Sequence, residues 1–394
     1  MIYLDNSSTT KEYDEVRSLI YNMSGNSFGN ASSLHSLGFK AHNELENARK
    51  EIGKYFSEDG DIIFTSGGTE SDNMAIFSSC MKMRKRAKKI ITSHIEHPAV
   101  LNTCKNLENY GFELIKIEND DKGVFSLESL KDNLGKDVCL VTLMTVNNEV
   151  GTIEPISEIS EIIRNFNKEN GTDIIFHTDA VQAFGKIKLD KSLFDLASVS
   201  GHKIHGPKGI GALYMDKKLR LMPLLNGGGQ ESGFRSGTEN ISAIAGFALA
   251  SKLTHENLSN NQAKLSKLNE YFIRGLSEEI CDYSINGVSD LGFSLDDSGH
   301  RLPNILSISF SGTRGEVILH ILEQDEIYVS TGSACSSHNN SDSHVLKAMN
   351  KNHKEIEGTL RFSFSEFNTI DDMDIVIDRL KLAINRFRKL GSFR

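Results

Sequence analysis

Cysteine and proline are scarce in this chain of 394 residues. The five cysteines are widely spaced and include no Cys-X-X-Cys pair, a distribution typical neither of a disulfide framework nor of a structural zinc site. The five prolines form no proline-rich linker, and no internal repeat or low-complexity tract is evident. We therefore expect an ordinary globular fold with free thiols and no bound metal.

Long apolar runs and excess positive charge are also missing. No apolar run approaches the roughly 18 residues of a membrane-spanning helix, and the opening MIYLDNSSTT lacks the regions of a signal peptide. The formal net charge is -9, which gives no general attraction to nucleic acid or anionic lipid. The basic run at 82–89 is interpreted as a solvated helix end. We expect a cytoplasmic protein whose partners are neither membranes nor nucleic acids.

The order of apolar runs predicts two structural units. Strand-like runs at 61–66, 88–93, 112–117, 137–146, 173–179, 196–201 and 209–215 alternate with helical patterns, which predicts an α/β domain with a mainly parallel sheet. A long helix over 260–280, strands at 305–310, 327–332 and 360–365, and a helix over 370–387 follow. We predict a large domain at 14–258 and a smaller α+β domain at 259–394, with residues 1–13 packed on the smaller one.

Polar residues follow three of the predicted strands. FTSGGTESDN places glycines at the start of a helix, where free N–H groups favour an anion. Asp179 and Lys203 follow two other strands, and such strand ends meet at one edge of a parallel sheet. A lysine, a carboxylate and a phosphate site are what pyridoxal phosphate requires. A tight turn, a capping aspartate and an exposed lysine remain an equal alternative at this point.

Eight longer motifs resemble a known family. They are SGHKIHGPKGIGALY, HTDAVQAFG, TSGGTESDN, EHPAVLNT, VNNEVG, RSGTEN, STGSACSS and LRFSFSEFNT. Together they resemble the pyridoxal-phosphate-dependent cysteine desulfurases of the NifS/IscS type, in the class V aminotransferase group. The resemblance covers Leu4 to Asn368 and implies fold type I of the pyridoxal-phosphate-dependent transferases, pyridoxal 5′-phosphate as the cofactor, and a homodimer.

The resemblance also assigns residues to roles. It implies that Lys203 forms the Schiff base, Asp179 pairs with the pyridinium nitrogen, and Gln182 donates to the ring hydroxyl oxygen. It implies that His97 stacks on the ring and shuttles protons. The remaining cofactor contacts that it implies are those of Gly68, Thr69, Ser200 and His202, of Thr238 from a second subunit, and of Asn148. It also implies that Asn148 and Arg361 bind the substrate, the arginine by a bidentate bond to its carboxylate.

Cys335 lies in the polar run STGSACSSHNNSDSH, 330–344, where burial in a core cannot explain it. The resemblance implies that this thiol takes sulfur from L-cysteine as a persulfide, leaves L-alanine, and passes the sulfur to an acceptor protein in iron–sulfur cluster assembly or in tRNA or cofactor thiolation. Selenocysteine lyase and a non-catalytic sulfur-relay scaffold are the alternatives. A plain aminotransferase is less favoured, because it has no use for the thiol.

Three histidines depart from the family pattern. His205 replaces an aromatic residue, with an effect that the sequence leaves open. His338 and His344 lie near Cys335 in the chain, and we hypothesise that a protonated histidine there favours the thiolate. Cys335, His338 and His344 are also a weak metal pattern, because no second ligand pair accompanies them. The short segment after the terminal helix weakens the expectation that a standard iron–sulfur scaffold is the acceptor.

Overall fold

The computed structural model describes residues 1–56, 60–331 and 342–391, so Cys335 and His338 lie outside the described residues. The described strands are β1 (Ile2–Tyr3), β2 (Gly60–Thr65), β3 (Lys89–Ser93), β4 (Glu113–Ile117), β5 (Val138–Thr142), β6 (Ile175–Asp179), β7 (Leu196–Ser200), β8 (Gly211–Asp216), β9 (Tyr283–Asn286), β10 (Ile305–Phe310), β11 (Ile327–Tyr328) and β12 (Thr359–Ser363). The described helices are α1 (Asp14–Asn26), α2 (Ser36–Gly53), α3 (Gly68–Met83), α4 (Pro98–Leu107), α5 (Leu127–Asn133), α6 (Ile156–Asn170), α7 (Ile241–Glu256), α8 (Leu258–Glu279), α9 (Gly315–Glu323), α10 (His344–Ala348), α11 (His353–Glu357) and α12 (Ile370–Gly391).

Seven of the described strands form the larger sheet, in the order β2, β8, β7, β6, β5, β3, β4. β8 runs antiparallel to β2 and β7, whereas all other neighbours are parallel. Strands β5, β6 and β7 are buried along their whole length, as parallel strands covered by helices must be. The predicted α/β fold with a mainly parallel sheet is confirmed.

A smaller antiparallel sheet is formed by the described strands β9, β10 and β12. It packs with α8, α9 and α12 in an apolar cluster that includes Phe272 and Phe362. Ile2 and Leu4 join this cluster, and β1 pairs with β11. Because α7 packs in the larger core and α8 in the smaller one, we retain the domain division between residues 258 and 259 as a proposal.

The predicted strand bounds fail in two places. The strand expected over 137–146 ends at Thr142. Residues 143–146 are buried but lie outside the sheet, and Val146 forms only an isolated bridge with Ile153. The apolar residues of this stretch are therefore explained by burial in the core and not by a strand. The strand expected over 327–332 covers only Ile327–Tyr328. Strand β9 had no counterpart in the sequence prediction, because its short, half-buried run lacks a clear pattern.

Arg301 is a charged side chain that is fully buried. Its Nε donates to the Val288 carbonyl at 2.9 Å, its Nη2 donates to Asn269 Oδ1 at 3.0 Å, and its Nη1 donates to the Ile305 carbonyl. Burial lowers the pKa of Arg301 to about 10, so the group remains cationic at neutral pH. The guanidinium therefore joins α8 to β10 and to the segment between β9 and β10.

We expect Arg301→Leu to lower the free energy of unfolding by about 3 kcal/mol, because three buried oxygens lose their donors. Denaturant unfolding followed by circular dichroism measures the change. Arg386→Leu is the matched control, since Arg386 is exposed on α12 and should change the free energy by less than about 0.5 kcal/mol. Similar losses in both variants would contradict this role of Arg301.

Candidate active site

A cleft of about 370 Å³ lies at the carboxyl ends of the central parallel strands. The predicted site residues that line it are Gly68, Thr69, His97, Asn148, Asp179, Gln182, Ser200, His202, Lys203 and Arg361. Most of them follow strands of the larger sheet, whereas Arg361 lies on β12 of the smaller one. The structure therefore brings these side chains together from both sheets.

The amino terminus of α3 provides one wall of the cleft. The first N–H groups of a helix have no partner within the helix and attract an anion. A Cβ atom at Gly68 would lie 2.8 Å from Val181 Cγ2, so the close approach of the two segments requires glycine. Ser200 Oγ is buried and has no hydrogen-bond partner among the described residues. These donors form a site suited to a phosphate group.

Two carboxyl groups meet at the floor of the cleft. Asp179 ends β6 and accepts a hydrogen bond from the Val181 N–H at 2.9 Å. Asp72 on α3 is buried, and its Oδ1 has no hydrogen-bond partner among the described residues. Burial raises the pKa of Asp179 to about 6, and burial together with Asp179 raises the pKa of Asp72 well above its usual value. A cationic N–H at this position would stabilise the charged form of Asp179.

His97 is the amino-terminal cap of α4. Its Nδ1 accepts a hydrogen bond from the Ala99 N–H at 3.1 Å. Burial, together with the nearby positive charge of Lys203, lowers the pKa of His97 to about 4. The ring is therefore neutral at physiological pH, and because Nδ1 is an acceptor, Nε2 carries the proton.

Lys203 lies in a short 3-10 turn, Gly201–Lys203, directly after β7. Its Nζ donates to the carbonyl oxygens of Ser7 and Ser8, the latter at 2.7 Å. Ser7 and Ser8 both line the cleft, although neither was among the predicted site residues. The sequence feature that could have indicated these two residues is the polar run that follows the apolar residues at the amino terminus.

Arg361 reaches the cleft from the smaller sheet and is buried. Its Nη1 donates to the Asn148 carbonyl at 2.9 Å, and its Nη2 donates to Asp5 Oδ1 at 2.9 Å and Ser8 Oγ at 2.7 Å. Its Nε is buried without a partner among the described residues. The guanidinium is therefore fixed in orientation and retains donor capacity for a carboxylate.

His205 retains the aromatic packing of the residue type that it replaces. Its ring lies 4.7 Å from the ring of Tyr13 and 5.2 Å from that of Phe367. Nδ1 lies 2.8 Å from the Lys11 carbonyl oxygen, and Nε2 lies 3.3 Å from Glu366 Oε2. His205 thus joins the turn that carries Lys203 to the chain after β12.

Both flanks of the segment that carries Cys335 are described. Before it, Ser330 forms two backbone hydrogen bonds with Arg361, at 3.1 and 2.7 Å. After it, Ser343 Oγ donates to the Glu149 carboxylate at 2.5 Å. Because Arg361 itself lines the cleft, the chain enters this segment beside the cleft.

His344 does not have the expected charge. Its Nε2 donates to the Glu96 carbonyl oxygen at 2.9 Å, and burial lowers its pKa below the usual value. The ring is neutral near pH 7, because burial disfavours the charged form. Burial thus opposes the protonated His344 that the hypothesis requires, and an effect of His344 on the Cys335 thiolate stays a prediction. The part of the hypothesis that concerns His338 lies outside the described residues.

Thr238 is exposed and does not line the cleft of its own chain. Two ion pairs hold its segment in place. Arg49 binds the Glu231 carboxylate through two hydrogen bonds, at 2.7 and 2.9 Å. Arg235 donates to Glu70 in the first turn of α3 at 2.8 Å. The segment is thus tied to the anion-binding turn of its own chain while Thr238 faces outward.

Comparison with known proteins identifies the family. The model of the aminotransferase class-V family matches residues 2–376. The chain belongs to this family.

A protein named cysteine desulfurase IscS from Dictyoglomus turgidum is 40% identical over 396 residues, covering 100% of this chain and 97% of its own length. A solved structure titled NifS-like protein matches with a TM-score of 0.88 and 36% identity, covering 98% of this chain and 99% of its own. Another, titled SspA in complex with cysteine, matches with a TM-score of 0.79 and 31% identity, covering 94% and 100%.

The cofactor of this class-V protein is pyridoxal 5′-phosphate, and the cleft fits it. The α3 amino terminus and the unpartnered Ser200 hydroxyl suit the phosphate. Asp179 suits the ring nitrogen, and Lys203 is close enough to lower the pKa of that carboxyl.

Atoms of Asp72, His97 and Asp179 lie within 4.8 Å of one another, as in a metal site. We assign this cluster to the cofactor, because the adjoining lysine and N–H groups are donors that a metal ion would not use.

We expect His97 to remain neutral down to about pH 5, with the proton on Nε2, because its pKa is lowered to about 4. Two-dimensional ¹H–¹⁵N NMR of imidazole-labelled protein reports both the tautomer and the titration midpoint. His97→Gln removes the His97 resonances and thereby assigns them. A midpoint above pH 6, or a proton on Nδ1, would contradict this description of the site.

Proposed function

We propose that this chain is a cysteine desulfurase, which removes sulfur from L-cysteine and forms L-alanine. The observation that carries the proposal is the convergence of Lys203 and Arg361 on one cleft from two different sheets. A lysine that can hold the cofactor and an arginine that can bind an α-carboxylate are what an amino acid substrate needs. The relatives named cysteine desulfurase support the choice of substrate.

Some residues of the cleft bind the cofactor and the substrate, and others transfer protons. When bound, the cofactor supplies an electron sink for the bonds at the substrate Cα and Cβ. Asp179 keeps the ring nitrogen protonated, and the α3 amino terminus with Ser200 holds the phosphate. Arg361 binds the substrate carboxylate. Lys203 Nζ and the protonated Nε2 of His97 are the groups placed to move protons in the cleft.

Cys335 is the proposed sulfur acceptor within the chain. Its thiolate forms an S–S bond with the substrate sulfur as the Cβ–S bond breaks, and the electron pair of that bond stays on Cβ. Protonation of Cβ then completes the methyl group of alanine. Cys335 is five positions after Ser330, which is paired with Arg361 at the cleft, and five residues span at most about 17 Å. A connection of this length is compatible with attack of the thiolate on the substrate sulfur.

The persulfide on Cys335 is passed to an acceptor protein, for which we propose iron–sulfur cluster assembly or the thiolation of tRNA or a cofactor. No described helix is long and apolar enough to span a membrane. The expected cytoplasmic location and the expected lack of direct nucleic-acid contact remain predictions.

We also propose a homodimer. Five large apolar side chains are exposed on α1, α2 and the segment between them, namely Tyr21, Phe28, Leu34, Leu37 and Phe39. Exposed apolar side chains concentrated in one part of a chain are typical of a protein interface. Thr238 is exposed as well, and in a dimer it would complete the phosphate site of the partner subunit.

Incubation of the purified holoenzyme with L-cysteine and a reductant should give sulfide and alanine in equal amounts. Cys335→Ala should lose more than about 99% of both products, because the nucleophile is removed, while its visible cofactor absorbance stays unchanged. Cys281→Ala is the control, since Cys281 is an exposed free thiol. Turnover of selenocysteine alone, or alanine formation that survives in Cys335→Ala, would overturn the proposal.

Mixed dimers test the placement of Thr238. Thr238→Ala should weaken cofactor binding by about tenfold, as expected for the loss of one hydrogen bond to a charged group. Hybrids of Thr238→Ala with Lys203→Ala then contain one cleft with an intact Lys203 and an intact Thr238 from the partner. When these hybrids are titrated with cofactor, half of their clefts should bind it as tightly as the wild-type clefts do. Persistently weak binding would show that Thr238 acts in its own chain.

A further inference from the structure

A second lysine, Lys186, lies behind the cleft. It follows Gln182 by four residues in the turn after β6, where successive backbone hydrogen bonds include Lys186 N–H to the Ala183 carbonyl. This helical spacing stacks the two side chains, and Lys186 Nζ lies 2.8 Å from Gln182 Oε1. Lys186 also lines a separate cavity of about 40 Å³, which Lys203 lines as well.

The amide of Gln182 has a defined orientation. Its Nε2 donates to the Ser7 carbonyl oxygen at 3.0 Å, and its Oε1 accepts from Lys186. A carbonyl oxygen can only accept, and a lysine nitrogen acts here as a donor. The two partners therefore fix the same orientation, in which Nε2 keeps a second N–H for a group in the cleft.

The backbone of Lys186 is also held in place. Gln262, in α8, donates through its Nε2 to the Lys186 carbonyl oxygen at 2.8 Å. Helix α8 of the proposed smaller domain therefore holds the turn that carries Lys186. A lysine side chain ordinarily extends into water, so these contacts indicate a specific position.

We propose that Lys186 is a positioning residue, which orients the Gln182 amide and polarises it so that Nε2 donates a stronger hydrogen bond to the ring oxygen of the bound cofactor. The inference rests on the proposed function, since it requires the cofactor in this cleft. Hydrogen bonds in a chain strengthen one another. Donation to the ring oxygen draws electron density away from the bond between Lys203 Nζ and the cofactor. The nitrogen at that bond then loses its proton at lower pH.

The charges that surround Lys186 are consistent with this role. Burial and the positive charges of Lys203 and Arg361 together lower the pKa of Lys186 to about 7, against the opposite effect of Glu366. A group whose pKa lies this close to neutrality responds to the charge of a bound cofactor. An anionic ring oxygen nearby would favour the protonated Lys186, which is the stronger donor.

The test measures the pH midpoint of the visible absorbance change of the purified holoenzyme. Lys186→Met should raise this midpoint by about 1 pH unit, because the donor that strengthens Gln182 is gone. Lys186→Arg keeps a cationic donor and should restore at least half of the shift. Lys188→Met is the matched control, since Lys188 is exposed two positions along the same segment and should leave the midpoint unchanged.

A double-mutant cycle with Gln182→Ala decides whether Lys186 acts through that amide. In the Gln182→Ala background, Lys186→Met should shift the midpoint by less than a third of its effect in the wild type. Equal shifts in the two backgrounds would overturn the proposal, because Lys186 would then act directly on Lys203. An unchanged midpoint in Lys186→Met would also overturn it. A wild-type protein that shows no visible cofactor absorbance would overturn the proposed function as well.

Discussion

The hydrogen bonds of the amino-terminal residues 5–8 hold the two sheets around the cleft. Asp5 and Ser8 bind the guanidinium of Arg361 on the smaller sheet, while the carbonyl oxygens of Ser7 and Ser8 accept from Lys203 beside the larger sheet. One short turn at the amino terminus therefore sets the distance between the two basic groups. If this segment shifted, Lys203 and Arg361 would no longer face the same ligand, even with both sheets intact.

The electrostatics of the cleft are incomplete without a ligand. Asp72 and Asp179 are buried together, and each has a raised pKa, whereas His97 has a lowered one. Burial penalises charge of either sign and shifts each of these pKa values toward the neutral form. A phosphorylated cationic ring would provide a positive partner for Asp179 and a negative one for the α3 amino terminus. The positive charge of the ring would therefore favour the ionised form of Asp179.

Much of the fold and of the site could be predicted from the sequence, because both follow from local patterns. Asp179 and Lys203 are recognisable since each directly follows an apolar strand, and parallel strands end at one edge. Ser7 and Ser8 could not be found in this way, because their contacts with Lys203 span nearly the first half of the chain. The neutral state of His344 was missed since burial cannot be inferred from a polar neighbourhood.

The pairing of the two chain ends has a consequence for biosynthesis. The bond between Arg361 and Asp5 joins residues 356 positions apart, and the Ser7 N–H is likewise bound by Ser363. Translation proceeds from the amino terminus, so these contacts cannot form until β12 has emerged from the ribosome. A nascent chain can build the larger sheet earlier, but the contacts of Asp5 and Ser7 with β12 must wait for the last strand. Capture of the cofactor in its final geometry is thereby deferred until synthesis is nearly complete.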